Sequence, residues 1–268
     1  MRYKITLSYD GAPFCGWQRQ PDAPSVQEAL ETALQTLLGE PVSVTGAGRT
    51  DTGVSAVGYV AHFDASGEPD ASFLACKLNA ILPPAVAVLS VEPASPDFHA
   101  RFDAKKRSYT YYLHRCKDPF MAGRSFFYGY PEVDFELMNK AAAVLPGTHD
   151  FSCFQKVGSD ARTSVCTVFE AEWRPYTPAL EGSASMAPQY WYFRISADRF
   201  LRNMVRAIVG TLLEVGRGRR SLDEFAGLIL LPSQDSRIAQ GAANGIPRRS
   251  LAGESVPGHA LFLTGIEY

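Results

Sequence analysis

Arg2-Tyr3-Lys4-Ile5-Thr6-Leu7-Ser8-Tyr9-Asp10-Gly11 sets Tyr3, Ile5, Leu7 and Tyr9 against Arg2, Lys4, Thr6 and Ser8. That period of two is the pattern of a strand with one buried face, and Asp10-Gly11 ends it. Ser25 with Glu28 three residues on forms a capping box, and Val26, Ala29, Leu30, Ala33, Leu34, Leu37 and Leu38 follow at helical spacing. An amphipathic helix therefore comes next. Val42-Ser43-Val44 leads into a glycine-rich loop, Gly46 to Gly53, after which 57–63 reads as a strand. A second helix over about 71–81 stops at Leu82-Pro83-Pro84, and 86–91 is a short β-branched strand.

The theme then returns. Near residue 104 the composition turns basic, which places a boundary between halves 1–104 and 105–268. Arg107 to His114 alternates as a strand, a helix is expected at about 134–145, and strands at about 165–174 and 189–197 flank a polar connection. Helices at about 199–215 and 222–230 follow, and Leu261 to Ile266 closes as a strand. Strands in antiparallel-looking groups, with no regular βαβ period, predict an α+β fold and not a doubly wound sheet.

The chain has 268 residues, 46% apolar, 20% charged and 12% aromatic, which excludes collagenous, disordered and small disulfide-stapled classes. Its start is alternating and not continuously apolar, so it lacks the core of a signal peptide. No apolar run approaches the ~20 residues of a membrane span. The cysteines, Cys15, Cys76, Cys116, Cys153 and Cys166, are odd in number and have no C-x-x-C spacing, which fits a reduced, cytoplasmic setting. The histidines are equally scattered, so no metal site is expected. A net charge of −2 counts, taken whole, against a nucleic-acid partner. The charges are not evenly spread, however: Arg101–Lys117 and Arg199–Arg220 each carry a net +5.

The loop Gly46-Ala47-Gly48-Arg49-Thr50-Asp51-Thr52-Gly53 is neither a Walker A loop nor a dinucleotide fingerprint. Asp51-Thr52-Gly53 matches the Asp-Thr-Gly of aspartic proteases, but that chemistry needs two such aspartates, so a hydrolase would require a dimer. Spacing alone favours a turn in which Asp51 caps backbone amides. Arg49, two residues upstream, favours an ionised Asp51 that serves as nucleophile or general base. The segment Phe98-His99-Ala100-Arg101-Phe102, followed by Lys105-Lys106-Arg107 and Tyr109-Thr110-Tyr111-Tyr112, interleaves cations with aromatics as nucleic-acid grips do. Tyr111 and Tyr112 fit a core-facing ladder better, and Tyr109 is the candidate for ligand contact. On the helix from Arg199, Arg202 and Arg206 are i,i+4 neighbours. Arg206, set between Val205 and Ile208, is expected to be partly buried and to need a carboxylate partner, for which Asp51 is the candidate. A non-catalytic RNA-binding module could use the same surface.

Tyr9-Asp10-Gly11, Gly16-Trp17-Gln18-Arg19-Gln20, Ser25-Val26-Gln27-Glu28, the 46–54 loop, Phe98 to Phe102 and Met204-Val205-Arg206 together resemble the tRNA pseudouridine synthase A family. The likeness runs in order from residue 3 to the C-terminus. It implies two ferredoxin-like α+β halves sharing a mainly antiparallel sheet, with helices on one side and a central cleft. It also implies a homodimer that, without a cofactor, isomerises uridine to pseudouridine at positions 38, 39 and 40 of the tRNA anticodon stem-loop. By the same resemblance Asp51 is the nucleophile, Tyr109 stacks on the target uracil, Arg206 pairs with Asp51, and Arg49 contacts the RNA or helps move the base. Phe98, His99, Ala100, Arg101 and Phe102, Gly158, Ser159, Asp160, Ala161 and Arg162, and Arg202 are expected at the RNA. The sequence departs from the family at Val256-Pro257-Gly258-His259-Ala260-Leu261, where Ala-Pro-Ala-x-Gly-Leu is usual, and at the loop Gly241 to Ser255 that precedes it.

Overall fold

The computed structural model describes residues 1–158, 162–178, 189–229 and 248–268. In chain order the elements are β1 (Arg2–Tyr9), α1 (Val26–Leu38), β2 (Val44–Gly46), β3 (Ser55–Asp64), α2 (Ala71–Ile81), β4 (Val86–Pro93) and β5 (Lys106–His114). They continue with β6 (Phe126–Phe127), α3 (Phe135–Ala142), β7 (Gly147–Asp150), β8 (Val165–Pro175), β9 (Tyr190–Ala197), α4 (Met204–Gly216), α5 (Leu222–Ala226) and β10 (Leu261–Glu267). Two compact units result: unit 1 is Met1–Arg107 with Phe262–Tyr268, and unit 2 is Ser108–Leu261. Both mix helices with mostly antiparallel strands, as an α+β fold requires.

In unit 1 the strand order is β4-β1-β3-β10, with β2 paired to β3. β1 lies antiparallel to β3 (Ile5 opposite Ala61) and to β4 (Ile5 opposite Val91), and β10 runs parallel to β3. The alternation in β1 is the one expected: Tyr3, Ile5, Leu7 and Tyr9 are buried. Ser25 caps α1 by accepting from the Glu28 N–H, and Gly39 ends it in the left-handed region. α1 and α2 bury Leu30, Leu34, Leu74 and Leu78, each worth roughly 1.5–3 kcal/mol once removed from water. The Pro83-Pro84 pair stops α2 as expected, at Ile81.

In unit 2 the order is β5-β9-β8-β7, with β6 parallel to β5. β8 is antiparallel to both β7 and β9. Phe135 of α3 stacks on Trp191 of β9 at 3.8 Å, and almost every residue of α4 is buried. Gly210 of α4 admits the chain at Glu254, whose carbonyl oxygen would lie 1.8 Å from any Cβ there. Burial pushes the thiols of Cys153 and Cys166 up to about 11 and about 12, so both stay protonated at neutral pH.

Two helix boundaries differ most from the sequence reading: α5 ends at Ala226 and not near 230, and α4 starts late. α4 starts at Met204 and not near 199, because Asn203 takes φ 66°, a left-handed conformation that no α-helix contains. The buried Leu201 extends the apolar periodicity past the true helix start. Arg202 therefore lies before the helix, and it is not the helical i,i+4 neighbour of Arg206 that the spacing suggested. No helix among the described residues is long and apolar enough to cross a membrane.

Candidate functional site

The Asp51 loop is held in unit 1 by an aromatic cluster. Trp17 packs against Tyr59 of β3 and Tyr9 of β1, at centroid distances of 4.2 and 6.1 Å. The Tyr59 hydroxyl accepts from the Gly48 N–H at 3.2 Å and donates to the Gly48 carbonyl. The Tyr9 hydroxyl bonds the buried Thr50 side chain at 2.9 Å, and the Trp17 N–H reaches the Thr50 carbonyl at 3.3 Å. Gly16, at φ 96°, must be glycine: a Cβ would sit 2.3 Å from the Thr50 oxygen. The turn closes where the Val54 N–H donates to the Asp51 carbonyl at 3.1 Å. Asp51 is thus half-buried on a loop fixed at both ends, and Arg49 beside it is exposed, its Nε donating to Gln18 Oε1 at 3.3 Å.

The Phe98–Phe102 segment is a tight turn in the same unit. His99 Nδ1 accepts from the Arg101 and Phe102 N–H groups at 3.2 Å each, and His62 Nδ1 accepts from the Ala100 N–H at 3.1 Å. His99 stacks on the exposed Phe102 at 4.2 Å, and Arg101 is exposed beside it. Ala100 is buried, and Phe98 packs on Tyr268 at 5.3 Å. Burial lowers the pKa of His62 below its ordinary value, with Arg2 and His99 adding in the same direction. Arg107 ties the two loops together. Its guanidinium donates to the carbonyls of Ala47 (3.0 and 3.3 Å), Ala104 (3.1 Å) and Arg101 (2.6 Å). Sequence reading placed Arg107 in a phosphate-gripping cluster and missed this role, since nothing in a Lys-Lys-Arg run says which cation turns inward.

In unit 2 Tyr109 is half-buried and meets Phe200 edge-on at 5.1 Å. Tyr111 is buried, donates to the Pro257 carbonyl at 3.2 Å, and has its pKa raised by burial. Arg206 is half-buried and donates from Nε to the Val256 carbonyl at 2.7 Å, while the Val256 N–H donates to the Arg206 carbonyl at 3.2 Å. Val256, in the atypical 256–261 segment, therefore holds Arg206 at Nε and at its carbonyl. A cavity of about 460 Å³ is lined by Lys156, Val157, Asn203, Arg206, Arg249 and Ser255. Arg202, Gly158 and Arg162 are exposed. Ser159, Asp160 and Ala161, and 241–247 of the long loop, lie outside the described residues. Among the described residues no group of three or more His, Cys, Asp or Glu is placed to hold a metal ion.

The two basic segments are largely committed to internal bonds. Lys106 pairs with Glu267 at 3.0 Å in unit 1, where Arg107 is bound as described. In unit 2 Arg115 donates to the carbonyls of Tyr130 and Pro131, and Arg199 to that of Thr163 at 2.8 Å. Arg217 lies 3.5 Å over the Tyr130 ring, and Arg220 pairs with Glu214 at 2.9 Å.

Comparison with known proteins gives one family. A model of tRNA pseudouridine synthase matches residues 5–103 and 141–268. Proteins named tRNA pseudouridine synthase A are 45% identical in Porphyromonas gingivalis, covering 100% of this chain and 97% of that one, and 47% identical in Bacteroides thetaiotaomicron, covering 100% and 90%. The Bacillus licheniformis protein of the same name is 38% identical over 100% of this chain and 99% of its own. The match to the family model over 5–103 and 141–268, with identity on this scale along the whole chain, establishes that the protein belongs to the tRNA pseudouridine synthase family.

Proposed function

We propose that the chain isomerises uridine to pseudouridine in tRNA, at positions 38, 39 and 40 of the anticodon stem-loop, as a cytoplasmic homodimer with Asp51 as nucleophile. The observation that supports this most is the Gly-Arg-Thr-Asp-Thr-Gly loop itself. Its Asp51 is braced on both sides, in a chain related over its full length to proteins named for this reaction.

The reaction exchanges the N1–C1′ bond of uridine for a C5–C1′ bond: N1 gains a proton, C5 loses one, and the formula is unchanged. No redox partner or group donor enters. The target must leave the base stack to reach a carboxylate. An ionised Asp51 begins the reaction by attack on C1′, by attack on C6 of the uracil, or by removal of the C2′ proton. Tyr109 stacks on the uracil while it is detached and turned, and Arg49 engages the RNA backbone beside the vacated stack. The Phe98–Phe102 turn, with Phe102 and Arg101 exposed, adds an aromatic face and a cation for the stem-loop.

The test is tritium release from C5-tritiated uridine in tRNA, with stem-loops altered at each of the three positions. Asp51→Asn is expected to fold and to bind tRNA as the wild type does, with no tritium released. Substantial residual turnover in that variant refutes the assignment of Asp51.

A further inference from the structure

The motifs around Gln18 and Gln27 do not belong to the reacting centre, yet their side chains form a directional chain that ends on Arg49. The chain begins at backbone groups of β2. The Val44 N–H donates to Glu31 Oε1 at 3.0 Å, and Gln27 Nε2 donates both to that oxygen, at 2.9 Å, and to the Val44 carbonyl, at 3.0 Å. Gln27 Oε1 accepts from the Arg19 N–H at 3.0 Å. One of these backbone partners only accepts and the other only donates, so the two ends of the Gln27 amide cannot exchange. Gln27 Oε1 also takes the Gln18 Nε2 donor at 2.7 Å, which turns Gln18 Oε1 toward Arg49 Nε at 3.3 Å. Arg49 can only donate. A flip anywhere along the chain would set two donors face to face, so the backbone of β2 and of Arg19 dictates which atom meets the guanidinium.

We infer that Gln18 and Gln27 are positioning residues: they aim Arg49 at the RNA and so drive extraction of the target nucleotide. This rests on the isomerase reading and on Arg49 contacting the substrate. The bond takes Nε and presents the Nη1–Nη2 edge, the pair that forks onto a phosphate. Gln18, Gln27 and Arg49 line a cavity of about 220 Å³ with Trp17, Gly48 and Arg101, wide enough to admit one backbone phosphate. An arginine held at Nε has already lost part of its rotamer freedom, so more of its contact energy is left for unstacking the base. The Glu31 carboxylate is mostly buried, which makes the far end of the chain an anchor and not a second surface.

The experiment uses full-length protein with Gln18→Met and Gln27→Met, each alone and combined with Arg49→Ala. Readouts are single-turnover tritium release, tRNA affinity, melting temperature, and the fluorescence rise of 2-aminopurine placed beside the target uridine. Gln18→Met is expected to slow single turnover about tenfold and to shrink the fluorescence rise, the cost of one hydrogen bond to a charged group, with affinity and melting temperature near wild type. Gln27→Met gives a smaller loss, and both losses vanish in the Arg49→Ala background, because residues that act through one group are not additive. Gln18→Glu, which keeps an oxygen for Arg49 Nε but sets its other oxygen against Gln27 Oε1, recovers part of the rate and serves as the test if Gln18→Met fails to fold. Equal losses with and without Arg49, an unchanged rate in Gln18→Met, or no recovery in Gln18→Glu each overturn the inference. A wild-type rate in Arg49→Ala overturns it too and leaves Asp51 untouched, since Asp51→Asn tests that assignment separately.

Discussion

Replacing Arg107 by methionine removes the common donor of three carbonyls in two loops and leaves the aliphatic stem in place. The bonds to Ala47 and Ala104 are part-buried, and the one to Arg101 is exposed. A hydrogen bond from a charged donor contributes about 1.5–3 kcal/mol where its acceptor is otherwise withdrawn from water. The Arg101 carbonyl can rehydrate, so it is discounted, and the two remaining carbonyls lose about 2–4 kcal/mol after partial relaxation. At about 2–4 °C per kcal/mol for a chain of this size, the melting temperature falls by on the order of 5–15 °C. Arg107→Lys restores the charge, but a single ammonium cannot span three oxygens, so it recovers less than half of the loss. Urea unfolding followed by circular dichroism measures the change, and tritium release at saturating tRNA measures its effect on the Asp51 loop. A loss in Arg107→Met below about 0.5 kcal/mol, or full recovery by lysine, refutes the claim that the planar fork unites the loops.

The remaining predictions concern pH and salt. Burial depresses the pKa of both His62 and His114, so the unfolded chain binds more protons than the folded one below the ordinary histidine value. Their stabilisation is complete above about pH 6.5 and is lost as pH falls from there through the depressed values. The urea midpoint should therefore drop between about pH 7.5 and pH 5.5, less steeply in His62→Asn, whose Oδ1 can take over the Ala100 N–H; a midpoint that is flat or rises on acidification contradicts the assignment. Affinity for tRNA should fall with salt, but with a logarithmic slope well below the roughly 8–11 that phosphate contacts from all twelve cations of the two basic segments would give. A slope in that full range would show that the internally bonded arginines contact RNA after all.

Much of the fold was legible because its signals are local. The period-two run in β1, the Ser25 cap of α1 and the Pro83-Pro84 stop after α2 each act within a few residues, and each element stands where its pattern placed it. The start of α4 was not legible. An apolar stripe reports burial, and Leu201 is buried without being helical, while the break comes from the φ of Asn203 and its bond to Ser255 more than fifty positions away. β7 escaped for a related reason: Gly147-Thr148-His149-Asp150 has little strand propensity, and its pairing with β8 makes it a strand.

The candidate site divides along the same line, and charge shows why. By count alone, the two net +5 segments reconcile a chain of charge −2 with an RNA partner. A count of cations records how many guanidiniums are present, but whether one faces solvent or a carbonyl depends on partners distant in sequence. Arg107 finds Ala47 sixty residues upstream, and Arg206 finds Val256 fifty downstream. Arg49, in neither basic segment, stays exposed and is tethered only through Nε among the described contacts. The cations best placed for RNA are therefore picked out by their tethers and not by their density. The glutamine pair that sets the direction of one tether is uncharged, so no charge count could have found it.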